Sequence, residues 1–547
     1  MADSDQLGAL IVGMREMYLR GENEMEFVRN MTTAPLHMPK DINAATIASD
    51  LQAGTYIQQS ERNSGAAVAE PQTERVGVLL PPSLTESFEI VLARINDLAE
   101  KGESVSAIVC NGTVRGCVAN PWGIKALCRH CVRVRDHAVK QLIPELEIQD
   151  VFELSAENAS ENSQPISPDI EAEIDRSARS TLLTFYRTDT GRPRGGVSGK
   201  VFEALHGHYR HYSKATFMGL RCLLLRDSFT RLEFFNGRIV PTRAAMLAAE
   251  DVGLNFAAIE VSGSERQLSI FENLRIHDLA ASHGRIADFL RSGAADIDVG
   301  ANFFERRRAG KPTNDRTFTA DQIPLEPSHR GENVKLISIF TSSADEMEVA
   351  GDQWCTASSR DPVHFITSLC QFLGSDEGGY RIVVRMHPNQ AGDRTGRAGS
   401  MLDQLQKIRG VHVIPPEDRT SSYDLLDAAS AVITFGSTIG LEAAYWGKLS
   451  ILAGHAAWEK QGVAQIVSTP EEAAEVIRNS PNLDGIKERA SLLGAYYMQG
   501  TGYRGSLEFE PVKQRFSVNG RNFLAEKRRH LSYWLWRVVD RALRRFV

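Results

Sequence analysis

Short apolar runs rich in β-branched residues alternate with stretches of helical period along most of this chain. The first series opens at "RVGVLL" (75–80), continues through the helical pattern "LTESFEIVLARINDLAEKG" and reaches a second strand at "SVSAIVCNG". Further along, "RCLLLRD" and "RLEFFNGRIV" have the pattern of strands, and the helical "PTRAAMLAAEDVG" and the strand-like "FAAIEV" follow them. Alternating strands and helices of these lengths predict parallel sheets covered by helices.

A second and more regular series begins after a break rich in proline and charge. Its strands are "VKLISIFTSS", "YRIVVRMHPN", "VHVIPP", "AVITFGS" and "KLSILAG", separated by helical segments such as "DPVHFITSLCQFLG" and "TPEEAAEVIRNS". We therefore predict an α/β fold with two Rossmann-like, doubly wound domains facing a cleft, and helical N- and C-terminal extensions.

The predicted domain boundaries follow the changes in pattern and composition. They are 1–74 for a helical and linker extension, 75–310 for the first domain with an acidic insertion at about 153–176, 311–333 for a linker, 334–490 for the second domain, and 491–547 for a C-terminal region that ends in a basic amphipathic helix.

Composition narrows the class of protein. Of the 547 residues, 42% are hydrophobic and 24% are charged, as in soluble globular proteins, and the net charge of −7 gives no reason to expect nucleic acid as a partner. No apolar run approaches the roughly 18–20 residues of a membrane span. The acidic start is unlike a signal peptide, and an odd number of cysteines, seven, favours a reducing compartment, so we expect a cytoplasmic protein.

Candidate ligand-binding residues stand at the ends of strands in the second domain. Ligands of open parallel sheets bind at the carboxyl ends of the strands. In "VITFGSTIGLEAAYWGK" a strand ends at hydroxyl-bearing residues that open a helix, a suitable seat for a phosphate, and a carboxylate one turn later suits ribose hydroxyls or base amines. The residues predicted to bind the donor nucleotide and its phosphates are Thr341, Ser342, Arg385, His387, Ser437, Thr438 and Glu442. The alternative is that the hydroxyls only cap helices and that the histidine before Pro388 is structural.

The segments "FTSSADE", "RMHPN" and "SSYDLLDAASAVITFGSTIGLEAAYWGK" resemble the C-terminal half of the capsule-polysaccharide-biosynthesis group of GT-B glycosyltransferase-like proteins. Relatives of that group include bacterial Kdo- and sialyltransferases with a His-Pro motif, and the glycerophosphotransferases of teichoic acid synthesis. The resemblance covers about 335–460 and implies that His387, Ser437 and Thr438 hold the donor phosphate, with Glu442 toward the nucleoside.

The first domain is then expected to bind the acceptor. "FFNGRIVPTR" places Asn236 and Arg238 at a strand end and Arg243 in the next helix, where the two arginines could hold an anionic sugar or phosphate. Glu260, on the following strand, is the predicted general base, and catalysis is assigned to Glu260, His387 and Arg238. The alternative is a structural ion pair between Arg238 and Glu260. Asp227 and His277 are further candidates.

Two other features remain open at the level of sequence. Cys110, Cys117, Cys128 and Cys131 lie in one short stretch and could form a structural zinc site, although redox-active or buried thiols are equally compatible with their spacing. Catalysis itself is expected to need no cofactor. The last segment, Leu524–Val547, carries seven bases and two acids interleaved with tryptophans, which suits peripheral contact with an anionic membrane or docking across the two domains.

The function predicted from these observations is that of a glycosyltransferase. It would transfer a sugar from a nucleotide-sugar donor to a glycan or lipid-linked glycan of capsular or lipopolysaccharide type, at the cytoplasmic face of the membrane. A CDP-polyol or glycerol phosphotransferase, a sugar-nucleotide epimerase of the same fold, and a non-catalytic polysaccharide-assembly protein are the alternatives. Sequence does not select the base, the sugar, the acceptor, or an inverting or retaining outcome.

Overall fold

The structure is a computed structural model. It describes residues 75–114, 116–152, 165–186, 197–262, 267–311, 322–325, 334–343, 352–374, 379–392, 396–499, 502–503, 505–510, 515–523, 527–528 and 533. The predicted extension over 1–74 and most of the predicted basic helix over 524–547 lie outside these residues. None of the helices in these ranges combines the length and the apolar character needed to cross a membrane.

The first lobe contains a six-stranded sheet. Its strands are β1 (Arg75–Leu79), β2 (Ser104–Val109), β3 (Glu147–Asp150), β4 (Arg231–Phe235), β5 (Asn255–Ser262) and β6 (Gln267–Glu272). The order across the sheet is β3-β2-β1-β4-β5-β6, with every pair parallel except β5 and β6. Its helices are α1 (Ser87–Glu100), α2 (Lys125–Leu142), α3 (Pro168–Tyr186), α4 (Val197–Arg226) and α5 (Thr242–Val252). This is the strand order of a dinucleotide-binding Rossmann fold.

The second lobe repeats this order. Strands β7 (Lys335–Phe340), β8 (Tyr380–Arg385), β9 (Val411–Ile414), β10 (Ala431–Thr434), β11 (Leu449–Leu452) and β12 (Gln465–Ile466) form an all-parallel sheet ordered β12-β11-β10-β7-β8-β9. Between and after them lie α8 (Ala357–Arg360), α9 (Pro362–Leu373), α10 (Arg397–Leu405), α11 (Ser422–Ala428), α12 (Ile439–Tyr445), α13 (Pro470–Asn479) and α14 (Ile486–Gln499). Two Rossmann-like α/β lobes confirm the predicted fold class.

The chain crosses between the lobes in both directions. Before the linker, two helices, α6 (Leu279–Arg291) and α7 (Ile297–Arg308), already pack on the second lobe, where Phe304 stacks on Tyr445 with ring centroids 4.3 Å apart. After α14, the antiparallel hairpin of β13 (Leu507–Glu510) and β14 (Arg515–Val518) returns to the first lobe, and Val518 is buried in its core. Both lobes therefore include residues that are distant in sequence from their sheets.

Two local predictions in the first lobe differ from the structure. "RCLLLRD" is not a strand but the end of the long helix α4, whose Leu220, Leu223 and Leu224 are buried in the core of the lobe. Short apolar runs of this kind are compatible with a buried strand or a buried helix, so periodicity could not separate the two. The acidic segment predicted as an insertion at about 153–176 overlaps α3 from Pro168 onward, while 153–164 lies outside the described residues.

Candidate functional site

Each sheet has one point at which its strand order reverses, between β1 and β4 in the first lobe and between β7 and β10 in the second. The connections leave the sheet in opposite directions there, and the carboxyl ends of the two strands form a crevice in which such folds bind ligands. In the second lobe Thr341 follows β7, and Ser437 and Thr438 follow β10. These three predicted donor-binding residues therefore lie at the reversal point.

His387 is held beside this crevice by its own turn. The backbone N–H of His387 donates to Thr341 Oγ1 at 3.1 Å, and the backbone N–H of Asn389 donates to His387 Nδ1, also at 3.1 Å. An imidazole that accepts at Nδ1 carries its proton on Nε2 when it is neutral. Nε2–H is then a donor of the kind that a phosphate oxygen accepts. Thr341, which is buried, ties this histidine to β7.

The guanidinium of Arg385 bonds to a neighbouring loop. Its guanidinium is buried and donates to the carbonyl oxygen of Asp418 at 2.7 Å and to that of Pro415 at 3.4 Å. Burial also lowers the pKa of Arg385 from its ordinary value. These bonds fix the loop after β9, so the arrangement gives Arg385 a structural role, and direct phosphate binding by it stays a prediction.

Glu442 lies in a buried network rather than on the crevice surface. It is 2% exposed, and one oxygen accepts from Arg307 Nε at 3.1 Å while the other accepts from the hydroxyl of Tyr423. Burial, and then the Glu442 carboxylate, raise the pKa of Tyr423 well above its ordinary value, so the hydroxyl remains a donor. Arg307 also donates to Thr438 Oγ1 at 3.4 Å. Because this carboxylate is buried and already bonded on both oxygens, a direct bond from Glu442 to a nucleoside stays a prediction.

The hydroxyls at the start of α12 do little capping. Ser437 Oγ accepts from the Ile439 N–H at a long 3.4 Å, and Thr438 makes no side-chain capping bond, although it occupies the N-cap position. Both side chains are half-buried. By contrast Ser421, at the start of α11, accepts from the Asp424 N–H at 3.1 Å as an ordinary N-cap. Ser437 and Thr438 therefore retain hydroxyl groups that suit a ligand.

A cavity of 760 Å³ lies at the reversal point of the first sheet. It is lined by the loop after β1 (including Pro81, Thr85 and Glu86), by the loop after β4 (Ile239 to Thr242), by Glu260 and by C-terminal residues that include Phe516, Lys527 and Tyr533. A volume of this size falls within the range of about 300–1,000 Å³ that small-molecule sites occupy. This cavity is large enough for a sugar-sized acceptor group.

Glu260 is a half-buried carboxylate on the wall of this cavity. Asn236 Nδ2 donates to one of its oxygens at 2.5 Å, and the Val261 N–H donates to the other at 3.0 Å. Asn236 takes a left-handed backbone conformation, with φ of 59°, which turns its amide back toward β5. The predicted base and the predicted acceptor residue Asn236 are thus brought together.

Arg238 and Arg243 belong to a second cluster, with His277. Burial, followed by the charges of Arg238 and Arg243, lowers the pKa of His277 to about 4, so this imidazole is neutral at pH 7. Arg238 donates to Thr184 Oγ1 at 3.3 Å, and Arg243 lies 3.8 Å from a Glu173 oxygen. The carbonyl oxygen of His277 accepts from side chains of the second lobe, Gln353 Nε2 and Trp354 Nε1, each at 2.7 Å.

The contacts at His277 fix which edges of the two lobes meet. Thr356, two residues beyond Trp354, donates from Oγ1 to the Ala453 carbonyl oxygen at 2.9 Å, immediately beyond β11. The segment that touches His277 is therefore attached to the carboxyl edge of the second sheet. Arg238 and Arg243, which follow β4 in the first lobe, lie near the same junction, because their charges act on His277.

The four clustered cysteines line one small cavity of 40 Å³ behind the loop after β1. Burial raises the pKa of Cys110 to about 11 and that of Cys117 well above its ordinary value, so both are protonated thiols. Within the described ranges, no three His, Cys, Asp or Glu side chains are arranged to hold a metal ion. Zinc binding by these cysteines therefore stays a prediction.

Comparisons with known proteins find similarity only among solved structures. A scan against protein-family models and a search of curated proteins gave no match. The chain is similar to the Thermosulfurimonas dismutans KpsC β-Kdo 2,4-transferase, at 14% identity over 58% of this chain and 87% of that chain, with a TM-score of 0.35. It is also similar to the KpsC β-Kdo 2,7-transferase of the same organism, at 14% identity over 55% of this chain and 85% of that chain, with a TM-score of 0.31. A third similar structure is the Neisseria meningitidis UDP-GlcNAc 2-epimerase bound to UDP-GlcNAc, at 12% identity over 78% of this chain and 97% of that chain, with a TM-score of 0.28. Values this low do not distinguish between activities.

Arg307 is the residue at this site that sequence reasoning missed. It precedes Glu442 by 135 positions and stands in the run Arg306-Arg307-Arg308, which has the composition of a solvated helix end. No local pattern marks the second of the three arginines as the partner of Glu442. Only the packing of α7 on α12 brings it to Glu442 and Thr438.

Proposed function

We propose that this chain is a glycosyltransferase that moves a sugar from a nucleotide-activated donor to a growing surface glycan or lipid-linked glycan. The observation that carries the proposal is the pair of ligand-suited reversal points: hydroxyls with a histidine at one, and a 760 Å³ cavity with a carboxylate at the other. An enzyme that transfers a group between two substrates needs two such places, whereas an epimerase acting on its own donor needs one.

In this proposal the second lobe holds the donor. Ser437 and Thr438 offer hydroxyl groups to the phosphates. His387, which the buried Thr341 holds in place, donates from Nε2 to the oxygen that becomes negative as the nucleotide leaves. Arg307 positions Thr438 through the bond between them and does not itself need to touch the donor.

The first lobe holds the acceptor and activates its hydroxyl group. Glu260 accepts the proton of that hydroxyl as general base. The amide of Asn236 holds this carboxylate in its position on the cavity wall. Arg238 and Arg243, beside a neutral His277, supply positive charge for an anionic group of the acceptor. The proposal leaves the stereochemical outcome open.

The test combines a panel of nucleotide sugars with and without glycan acceptors, with products followed by mass spectrometry. Transfer requires nucleotide release that depends on acceptor, while isomerised donor without acceptor would show an epimerase. Glu260→Gln is expected to lower turnover by about 100-fold or more, the usual effect of losing a general base, with nucleotide binding unchanged. Glu86→Gln is the matched control, because Glu86 is an exposed carboxylate in the same cavity. Equal activity of the two variants would remove Glu260 from the mechanism.

The same proposal assigns the enzyme to the cytoplasmic face of a membrane through its basic C-terminal segment. Lys527 is buried and bonds to Glu89 at 2.7 Å and to the Thr85 carbonyl oxygen at 2.9 Å, so the segment starts beside the acceptor cavity. A chain that ends after Arg528 keeps these bonds and removes most of the positive charge. It should leave the membrane fraction if the segment binds anionic lipid, and unchanged fractionation would refute this part.

A further inference from the structure

His455 follows β11 and lies next to the hydroxyl-bearing turn of the second lobe. Gly436, at the end of β10, has φ of 126°, and a Cβ added there would lie 2.7 Å from the His455 carbonyl oxygen. A Cβ on Gly454 would lie 2.4 Å from the Phe435 carbonyl oxygen. The turns after β10 and β11 are therefore in backbone contact, which only glycine allows at these two positions. His455 is consequently a neighbour of Ser437.

The imidazole of His455 is oriented by a buried carboxylate. Its Nδ1 lies 3.0 Å from Glu459 Oε2, and the same oxygen accepts from the Ala456 N–H at 3.0 Å. The other oxygen of Glu459 lies 3.4 Å from Nε2 of His283, a buried residue of α6 that also bonds to the Ala456 carbonyl oxygen at 3.2 Å. Glu459 is 9% exposed, whereas the His455 side chain is 37% exposed. The Glu459 carboxylate is therefore buried, and an edge of the His455 ring is exposed to solvent.

This arrangement determines which atom of His455 is available. Nδ1–H donates to the Glu459 carboxylate, so the ring presents Nε2 on the side away from it. In the doubly protonated ring Nε2–H is also a donor, and the Glu459 carboxylate lies opposite its charge. Glu459 and His283 are the titratable groups that face His455 among the described residues. A ring held in this way suits an anionic ligand at the adjacent turn.

We propose that His455 binds a phosphate oxygen of the nucleotide donor through Nε2, with Glu459 as its positioning residue. This inference rests on the proposed function and adds a residue that neither the motifs nor the resemblance indicated. Strand β11 is next to β10, whereas β8 is two strands from β10 on the other side. Neighbouring strands of a sheet are about 4.8 Å apart. Strands β11 and β8, which precede His455 and His387, are therefore about 14 Å apart on the two sides of the crevice, so the two histidines approach the donor from opposite sides.

The experiment is calorimetric binding of CMP, CDP, UDP and GDP, and of cytidine, uridine and guanosine, to the full chain between pH 6 and pH 8. His455→Gln should weaken binding of the preferred nucleotide about tenfold at pH 6, the effect of one charge-assisted contact, and leave the matching nucleoside unaffected. His364→Gln is the matched control, since His364 is exposed on α9.

Glu459→Gln tests the positioning role, because it keeps His455 and removes the charge behind it. We expect a loss of affinity for the nucleotide smaller than that of His455→Gln, with binding of the matching nucleoside unaffected. Thermal unfolding is measured to check that the buried substitution is tolerated. If wild type binds a nucleotide and His455→Gln binds it equally well at pH 6, the inference is wrong while the proposed function stands. If wild type binds none of these nucleotides, both are wrong.

Discussion

The pair of Arg307 and Glu442 should be one of the strongest single stabilising contacts between α7 and the second lobe. The side chains are 12% and 3% exposed, and Glu442 also accepts from Tyr423. Removing one member of a buried ion pair costs about 3–5 kcal/mol, because the other charge remains buried without its partner. Arg307 is partly reached by water, so we expect Arg307→Ala to cost about 3 kcal/mol, at the lower end of that range.

The structure supplies a control at the next residue. Arg308 pairs with Asp427, and these side chains are 33% and 46% exposed. Exposed pairs contribute about 0–1 kcal/mol, so Arg308→Ala should cost 1 kcal/mol or less. A double variant, Arg307→Ala with Glu442→Gln, should recover about 2 kcal/mol relative to Arg307→Ala, since no buried charge is then left unpaired.

Hydrogen–deuterium exchange of peptides that cover α7 and α12 is the appropriate assay. The two lobes can unfold separately, so a single midpoint for the whole chain would mix their stabilities, whereas protection of these peptides reports the local free energy of opening. Equal protection in the Arg307→Ala and Arg308→Ala variants would refute the reasoning. So would a double variant no more protected than Arg307→Ala alone, because the unpaired charge would then not be the cause of the loss.

Three further predictions concern the donor contact of His387, the pH dependence of stability caused by His277, and the reactivity of the Cys110 thiol. His387→Ala should weaken donor binding or turnover tenfold or more, about 1.4 kcal/mol for one charge-assisted contact, and unchanged kinetics would remove His387 from the site. His277 has a pKa of about 4 in the folded chain, below the roughly 6.5 of the unfolded chain, so the unfolded state takes up its proton first and stability falls as the pH drops from about 6.5 to 4. His277→Gln should remove about 2 kcal/mol of the loss between pH 7 and pH 4.5, measured at each pH by hydrogen–deuterium exchange of the peptide that contains residue 277, corrected for the intrinsic exchange rate; an unchanged loss would contradict the buried neutral ring. Because the pKa of Cys110 is about 11, iodoacetamide at pH 8 should modify it about 100-fold more slowly than a free thiol, as followed by peptide mass spectrometry, and rapid modification would show that it is accessible and ionised.

The sequence pattern predicted most of the second lobe, because each strand there is a short apolar run and each helix ends at a clear signal. "AVITFGS" corresponds to β10 and "KLSILAG" to β11, each within a few residues. In the first lobe the pattern failed at "RCLLLRD", where a helix buried on several sides has no polar stripe to reveal its period. The pattern also could not show that Arg385 turns its guanidinium to the loop carbonyl oxygens, because alternation gives the face of a residue and not its partner.

The parts of the candidate site that sequence could not supply share one physical cause. His283 lies on α6 and Arg307 on α7, both before the linker. Yet His283 contacts Glu459 and Arg307 contacts Glu442, two residues of the second lobe. A motif describes residues that are near one another in the chain, whereas these carboxylates are oriented by side chains 135 and 176 positions away. Each is also buried, so its partner is required for stability as well as for the position of the neighbouring hydroxyl or imidazole. A fragment that begins at the second sheet would keep the hydroxyls and both histidines of the crevice but leave Glu442 without its arginine. Such a fragment should therefore be less stable than the lobe with α6 and α7 attached and should bind nucleotide more weakly, even though it contains every donor-binding motif recognised in the sequence.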